Sequence, residues 1–123
     1  MDKVSISIPA SPQYLQVVRL IATGLASRLT FTIDEIEDLK IGVDELAAYL
    51  TGTQGREGTL DIEFVIESDR IKIRGVGNFA PGDKIRTDLT EFSRQILKTV
   101  ADEAVLEVSN GVPSFFLTKN KQS

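Results

Sequence analysis

The chain contains no cysteine and no histidine among its 123 residues. Without cysteine it can form neither a disulfide framework nor a thiolate metal site. Without histidine it lacks the commonest metal ligand and the usual base that activates a nucleophile, which excludes histidine-assisted nucleophilic catalysis. Any chemistry at a site must therefore use other side chains.

Excess positive charge and long apolar segments are absent as well. The net charge is −4 at pH 7, so a broad nucleic-acid-binding surface is not expected. No apolar run approaches the length that spans a membrane, and the start of the chain lacks the apolar core of a signal peptide. The composition, 41% hydrophobic and 26% charged, is typical of a globular domain. We expect a cytoplasmic protein with no direct nucleic-acid or membrane partner.

The first half of the chain predicts two helices. Ser11 and Pro12 are typical of the start of the first helix, and Thr32 with Glu35 predicts a capping box at the start of the second. The first helix is apolar around most of its circumference, which is more than a helix on a single sheet requires. We therefore expect it to be deeply buried or to contact a second chain. The second helix has one apolar stripe and ends near Gly52.

Alternating apolar and polar residues predict the strands. One strand precedes the helices at residues 4–8, and two follow at 60–67 and 70–74, before the loop GVGNFAPGDK. A final hairpin turns at Asn110-Gly111. A third helix is expected on the pattern Ile85, Leu89, Phe92, Ile96 and Val100.

The element order is strand, helix, helix, strand, strand, helix, strand, strand. This order predicts an α/β (α+β) two-layer sandwich, with a mixed, largely antiparallel sheet and the helices on one face. We assign residues 1–119 to a single domain and residues 120–123 to a polar tail.

The pattern RL-x3-G-x-ASR, followed by DEIEDLKI-x-V-x-E, resembles the anti-sigma factor serine kinases of bacteria. That family has the GHKL ATPase fold, which sensor histidine kinases and gyrase share. The resemblance is most specific from Val4 to Glu45, and past Tyr49 it rests on element order and scattered positions. It implies a GHKL-like domain without the usual lid, and a sigma factor or an anti-anti-sigma-like protein as partner.

The family's nucleotide-binding motifs are altered in this sequence. Its second helix carries E-x3-N, in which the glutamate is the base and the asparagine binds magnesium; here Glu45 matches the glutamate and Tyr49 replaces the asparagine. In its D-x-G-x-G box the aspartate binds adenine; here Gly75 replaces the aspartate and Gly77 matches the first glycine. The span APGDKIRTDLTEFSRQ is too short for the family's lid and lacks its glycine-rich turn. We therefore expect these four residues to be remnants, with no catalytic residue, no metal and no cofactor.

The main hypothesis is a non-enzymatic regulatory module that resembles an anti-sigma factor. It would control transcription without ATP, by sequestering a sigma factor or by binding its antagonist, and it would be a homodimer. The resemblance places the family's partner surface in the first-helix region, so Arg19, Thr23 and Arg28 are the expected partner contacts.

Two alternatives remain open. The first is an ATP-dependent serine kinase anti-sigma factor with magnesium and an atypical nucleotide pocket, in which Glu45 is the base and Asn78 or Asp83 replaces the lost ligand. The second is a dimerisation domain that only scaffolds other proteins. Glu45 is in any case also compatible with an ordinary solvated or salt-bridged helix residue, because a fold alone does not establish a function.

Overall fold

A computed structural model describes residues 1–82 and 84–122. Its helices and strands follow one another in the predicted order. Along the chain they are β1 (Asp2–Pro9), α1 (Leu15–Arg28), α2 (Ile33–Thr51), β2 (Gly58–Ile66), β3 (Arg70–Phe79), α3 (Glu91–Val100), β4 (Glu103–Ser109) and β5 (Val112–Asn120). A short 3-10 turn, Pro12–Tyr14, precedes α1, so the α-helix itself begins later than Ser11-Pro12 predicts.

The strands form one sheet in the order β1-β2-β3-β5-β4, and each neighbouring pair is antiparallel. In the β2–β3 hairpin Glu63 lies opposite Arg74, a favourable pair of opposite charges. The predicted turn between β4 and β5 is confirmed: Asn110 and Gly111 have φ values of 52° and 77°, as a two-residue hairpin turn requires. The predicted two-layer sandwich is therefore the observed fold.

The core lies between the sheet and the helices. α2 provides the central apolar stripe, with Leu39, Val43, Leu46 and Leu50 almost fully buried. Alternate residues of the strands project from the sheet and pack against this stripe. They include Leu60, Ile62, Phe64, Ile71, Ile73, Phe115 and Leu117. The core thus fixes α2 against the middle of the sheet.

α1 has apolar residues both on the side that faces the core and on the side that faces outward. Val18 and Ala22 are fully buried, whereas Val17 is 41% exposed and Leu20 is 62% exposed. The helix is therefore not buried around its whole circumference. Contact between its outer side and a second chain stays a prediction.

The amino-terminal end of α2 has the predicted capping box. The Glu35 amide donates to the Thr32 hydroxyl (3.1 Å) and the Thr32 amide donates to the Glu35 carboxylate (2.7 Å). The second carboxylate oxygen of Glu35 accepts the amide of Gln122. Burial raises the pKa of Glu35, but these hydrogen bonds and the charge of Lys119 outweigh burial and hold the pKa below its ordinary value.

Residues near the end of β5 also pack at this place. The Lys119 ammonium lies 3.3 Å from the Asp38 carboxylate, and that of Lys121 donates to the Thr30 hydroxyl (2.6 Å). β5 extends to Asn120. The assignment of residues 120–123 to a separate tail stays a prediction, and Ser123 lies outside the described residues.

α3 is shorter than predicted and faces the core differently. It begins after Thr90, whose hydroxyl accepts the amide of Ser93 (3.0 Å), so Ile85 precedes the helix. Phe92 is 75% exposed, whereas Ser93 and Leu97 are buried. The cap at Thr90 fixes the first turn, and the buried contacts of Ser93 set the rotation of the helix.

β3 is longer than predicted. The segment GVGNF was expected to form a loop, but it continues β3 and stays paired with β2, with Gly77 opposite Leu60 and Phe79 opposite Gly58. Backbone pairing with β2 therefore overrides the turn-like composition of this segment.

Candidate active site

A cavity of about 350 Å³ lies at the carboxyl-terminal end of α2. It is formed by three segments: the last turns of α2, the loop that follows them, and the segment before α3. The lining residues are Glu45, Ala48, Tyr49, Gly52, Thr53, Arg56 and Arg86. A hollow of similar size, about 380 Å³, lies beside Glu63 and Arg74 on β2 and β3. The cavity at α2 contains Glu45 and Tyr49, the two motif residues that the sequence places on this helix, and we take it as the candidate site.

Arg56 is held in place at the edge of this cavity. Its amide donates to the carbonyl of Ala10 (2.7 Å), and its Nε donates to the carbonyl of Leu50 (2.5 Å) in the last turn of α2. The guanidinium lies 5.8 Å from the centre of the Phe79 ring, within the range of a cation–π contact. A cation at this place also suits the negative end of the helix dipole.

A hydrogen-bonded chain connects α2 to α3 beside the cavity. The Ser93 hydroxyl donates to the Glu45 carboxylate (2.6 Å), and the Tyr49 hydroxyl donates to Ser93 Oγ (2.9 Å). The amide of Thr90 in turn donates to the Tyr49 hydroxyl (3.1 Å). Glu45 is thus not an ordinary solvated helix residue, because a buried hydroxyl binds its carboxylate.

The surroundings of Tyr49 alter its acidity. Burial raises the pKa of the phenol, but the hydrogen bonds with Ser93 and Thr90 and the positive charge of Arg86 lower it by more. The pKa of Tyr49 therefore lies below its ordinary value. Arg86 lines the same cavity as Tyr49.

Gly75 and Gly77 have a packing role in β3. A Cβ atom at Gly75 would lie 2.2 Å from the ring of Phe115, and one at Gly77 would lie 2.4 Å from the ring of Phe79. Both distances are impossible for real side chains, so these glycines make room for the two rings. The space that a longer side chain at residue 75 would need is occupied by Phe115, which is 1% exposed.

The three expected partner residues lie on α1, outside the cavity lining. Arg19 Nε is bonded to both carboxylate oxygens of Asp44 (2.7 and 2.8 Å), so its charge is partly neutralised within the chain. Thr23 is half-buried, and Arg28 is exposed in the last turn of α1. Arg28 is thus the more available cation of the two arginines.

Four residues of the site region are missed by the sequence analysis: Arg56, Arg86, Thr90 and Ser93. Thr90 could have been recognised as a helix cap, since threonine is favoured there. Of the suggested substitute ligands, Asn78 is exposed on β3 and is not part of the cavity lining, and Asp83 lies outside the described residues. Within residues 1–82 and 84–122, no three acidic side chains are grouped so as to hold a metal ion.

The chain is similar to proteins named serine-protein kinase RsbW. The one from Bacillus velezensis is 28% identical over 132 aligned positions, which cover 91% of this chain and 82% of that protein. Those from Bacillus pumilus and Listeria monocytogenes are 36% and 37% identical over 59% of this chain. The chain is a relative of the anti-sigma factor serine kinases. The resemblance given by the sequence is thereby confirmed.

The extent of the similarity differs among these relatives. The better-matched segment spans about half the length, 48%, of the Bacillus pumilus and Listeria monocytogenes kinases. No family model matches the chain. Among its described helices, none has the length and apolar character needed to cross a bilayer.

Two predictions from the sequence are wrong in view of these relatives. The chain was expected not to be an enzyme, but the relatives are named serine-protein kinases. It was also expected to need no cofactor, whereas a protein kinase takes its phosphoryl group from ATP held with magnesium. The altered motifs at Tyr49 and Gly75 are therefore not sufficient grounds for excluding nucleotide chemistry.

The cavity fits only part of a nucleotide. In the family pattern that the sequence resembles, Tyr49 stands where an oxygen ligand for magnesium would be, and Gly75 stands where an adenine-binding side chain would be. The Phe115 ring fills the space that a side chain at residue 75 would need. The two guanidinium groups of Arg56 and Arg86, in contrast, are suited to phosphate oxygens. The fit is thus confined to the phosphates.

Proposed function

We propose that this chain is an ATP-dependent serine-protein kinase that acts as an anti-sigma factor, with an atypical nucleotide pocket at the carboxyl-terminal end of α2. The observation that carries the proposal is the cavity in which Glu45 lies with two arginines. Its relatives are named for the same kinase activity. The proposal includes a cytoplasmic location.

Arg56 and Arg86 would bind the phosphates of the nucleotide, which supplies the phosphoryl group. Arg56 is suited to this role because its backbone and Nε are already fixed by Ala10 and Leu50, so little order is lost on binding. Arg86 is exposed and would close over the phosphates from the opposite segment.

Glu45 would accept the proton of the substrate serine. The structure supports this role through Ser93, whose hydroxyl donates to Glu45 over 2.6 Å. That is the distance at which a general base receives a proton from a hydroxyl. A substrate serine would take the place of Ser93 at the carboxylate.

The partner surface would be the outer side of α1. Val17 and Leu20 supply exposed apolar area there, with Arg19, Thr23 and Arg28 as polar contacts. A sigma factor or an anti-anti-sigma-like protein would bind these residues, and the chain would form a homodimer.

Calorimetric titration with ATP and with ADP, both with magnesium, tests the nucleotide pocket. We expect saturable binding that Arg86→Gln weakens by about tenfold, as loss of one charge-assisted contact would. Arg28→Gln is the matched control, since it removes an exposed arginine of α1 that does not line the cavity, and it should bind as the wild type does. Absence of heat at millimolar nucleotide would contradict the proposal.

Phosphoryl transfer and partner binding are tested separately. Glu45→Gln keeps a hydrogen-bond acceptor for Ser93, so it should retain nucleotide binding and lose transfer of labelled phosphate to an anti-anti-sigma-like protein. Arg28→Glu should weaken co-elution with a sigma factor and leave nucleotide binding unchanged. Transfer at the wild-type rate by Glu45→Gln would remove the base role.

A further inference from the structure

We propose that a groove between α2 and α3 binds the protein substrate beside its phosphorylated serine, by taking up an apolar side chain about two residues away from that serine. This inference rests on the proposed function, in which Glu45 accepts the proton of the substrate serine. It specifies how the protein substrate is recognised and needs no further chemical step.

The groove is a cavity of about 430 Å³ whose lining is mainly apolar. The lining residues are Ile41 of α2 and Gln95, Ile96, Thr99 and Val100 of α3, and none of these side chains is charged. The polar ones are engaged within α3, since the Thr99 hydroxyl donates to the carbonyl of Gln95 (2.9 Å) and the side-chain amide of Gln95 donates to Glu91 (3.0 Å). The groove is therefore suited to an apolar ligand and not to a charged one.

Large apolar side chains are exposed along this groove. Ile41 is 43% exposed, and Phe92 is 75% exposed. Phe92 precedes Ile96 by one turn of α3, so the two side chains share a face of the helix. The apolar surface thus extends from the groove to Phe92, the residue next to Ser93. A continuous apolar surface of this kind marks a site where another molecule binds.

The groove lies one helical turn from the proposed base. Ile41 precedes Glu45 by four residues on α2, so both side chains are on one face and about 6 Å apart along the helix axis. On α3, Ser93, which donates to Glu45 (2.6 Å), precedes Ile96 by three residues. A Cβ at Gly42 would lie 3.5 Å from Val100, so the two helices are still close at this turn. The groove and the base therefore belong to successive turns of the same contact between α2 and α3.

An extended peptide matches this spacing. An extended chain advances about 3.3 Å per residue, and side chains two residues apart point to the same side. When the substrate serine takes the place of Ser93 at Glu45, the side chain two residues away therefore reaches the groove at Ile41. An apolar side chain would be removed from water there, which strengthens binding in proportion to the area buried. The occupant is thus a substrate segment with an apolar residue at this distance from its serine.

Short synthetic peptides with one serine and one leucine, the leucine being moved along an otherwise polar sequence, test the inference. Transfer of labelled phosphate from ATP gives kcat and KM for each peptide. We expect kcat/KM to be about tenfold higher when the leucine is two residues from the serine than for other placements.

Variants of the groove should change KM and not kcat, because the apolar contact is equally strong in the ground state and the transition state. Ile41→Ala should raise KM for the preferred peptide by about fivefold. Thr99→Lys should do the same by placing a charge in the groove, and a cation near the end of α3 suits the helix dipole. Both should bind nucleotide as the wild type does. Ile33→Ala is the matched control, since it removes an exposed isoleucine of α2 that does not line the groove, and it should change neither constant.

The possible results separate this inference from the function on which it rests. Equal kcat/KM for every leucine placement, or a KM that both groove variants leave unchanged, would overturn the groove and leave the kinase function intact. Phosphorylation of an anti-anti-sigma-like protein without any transfer to the peptides would do the same. A dimer that Ile41→Ala dissociates in sedimentation, with peptide KM unchanged, would assign the groove to a second copy instead. Absence of both nucleotide binding and transfer would overturn the proposed function and this inference together.

Discussion

The two ends of α2 use similar polar side chains in different ways. At the amino-terminal end, Thr32 and Glu35 bond to each other's amides, and Gln122 occupies the remaining carboxylate oxygen. At the carboxyl-terminal end, Glu45 and Tyr49 bond to Ser93 of another helix, and a cavity with two arginines opens beside them. One end is satisfied mainly within its own turn, and the other depends on the position of α3.

The difference separates stability from function along one helix. The polar groups at the amino-terminal end already have their hydrogen-bond partners within the capping box, so they are not available to a ligand. Those at the carboxyl-terminal end can exchange Ser93 for another hydroxyl, and the arginines beside them can bind an anion. A ligand site therefore needs partners that can be replaced.

The largest effect on stability is expected at Gly75 of β3. Gly75→Ala should destabilise the fold by about 3 kcal/mol, because its Cβ would overlap the buried ring of Phe115. Urea denaturation measures the loss. Gly24→Ala is the control, since a Cβ there meets nothing within 4 Å, and it should stabilise the protein by about 0.5 to 1 kcal/mol. A Gly75→Ala variant as stable as the wild type would mean that Phe115 can move aside.

Removal of the Ser93 hydroxyl should weaken the contact between α3 and the carboxyl-terminal end of α2. Ser93→Ala should cost about 2 kcal/mol, because Glu45 and Tyr49 lose a buried partner. Ser27→Ala, which removes an exposed hydroxyl bonded within α1, should stay within about 0.5 kcal/mol of the wild type.

A double variant tests whether these groups act as one unit. Tyr49→Phe combined with Ser93→Ala should cost less than the sum of the two single changes, since the hydroxyls share a hydrogen bond. Simple additivity in urea denaturation would show that Tyr49 and Ser93 act independently.

A charge change at the amino-terminal end should have a smaller effect that depends on pH. Glu35→Gln should cost about 1 kcal/mol at pH 7, because glutamine keeps an oxygen for the capping box but loses the charge. The folded-state pKa of Glu35 lies below 4.5, so the advantage of the wild type is fully present above pH 4.5. It should disappear as the pH falls through the folded-state pKa.

Denaturation midpoints of Glu35→Gln and the wild type from pH 7 to pH 3 measure this convergence. Glu37→Gln, which alters an exposed ion pair with Lys40, should change stability by less than about 0.5 kcal/mol at any pH. An advantage of Glu35 that persists unchanged at pH 3 would exclude the lowered pKa.

The smallest expected effect is a change in the pKa of Tyr49, which would shift the midpoint of its titration curve. In a Tyr14→Phe background Tyr49 is the only tyrosine, and the chain has no tryptophan. Its ultraviolet absorbance should report ionisation with a midpoint below 10.0. Adding Arg86→Gln should move that midpoint upward, because a stabilising charge is removed. An unchanged midpoint would place Arg86 too far from the phenol to serve the cavity.

Local signals account for the parts of the fold that the sequence predicts. The Thr32–Glu35 box, the Asn110-Gly111 turn and the alternation along β2 each act within a few residues, so they can be recognised without the fold. The start of α3 is set by Thr90, but the apolar spacing of Leu89 and Phe92 also suits a longer helix. Spacing alone could not decide between them.

The site is harder to predict because its contacts are distant in sequence. Glu45 is identified through the family pattern, but its partner Ser93 is 48 residues away, and Arg56 and Arg86 come from segments without regular structure. Their approach to α2 results from tertiary packing. The family pattern therefore located the helix that carries the site, and only the fold identified the cations beside it.

The position of β5 constrains the order in which the molecule is assembled during translation. β5 lies between β3 and β4, so β4 emerges from the ribosome before the strand that joins it to the sheet. Glu35 likewise receives its last amide from Gln122, 87 residues later. In a nascent chain that stops before β5, one edge of β3 therefore has no neighbouring strand and β4 is not joined to the sheet. Glu35 at the start of α2 also lacks one of its hydrogen-bond partners. Completion of the sheet and of the α2 terminus should occur in one late, cooperative step.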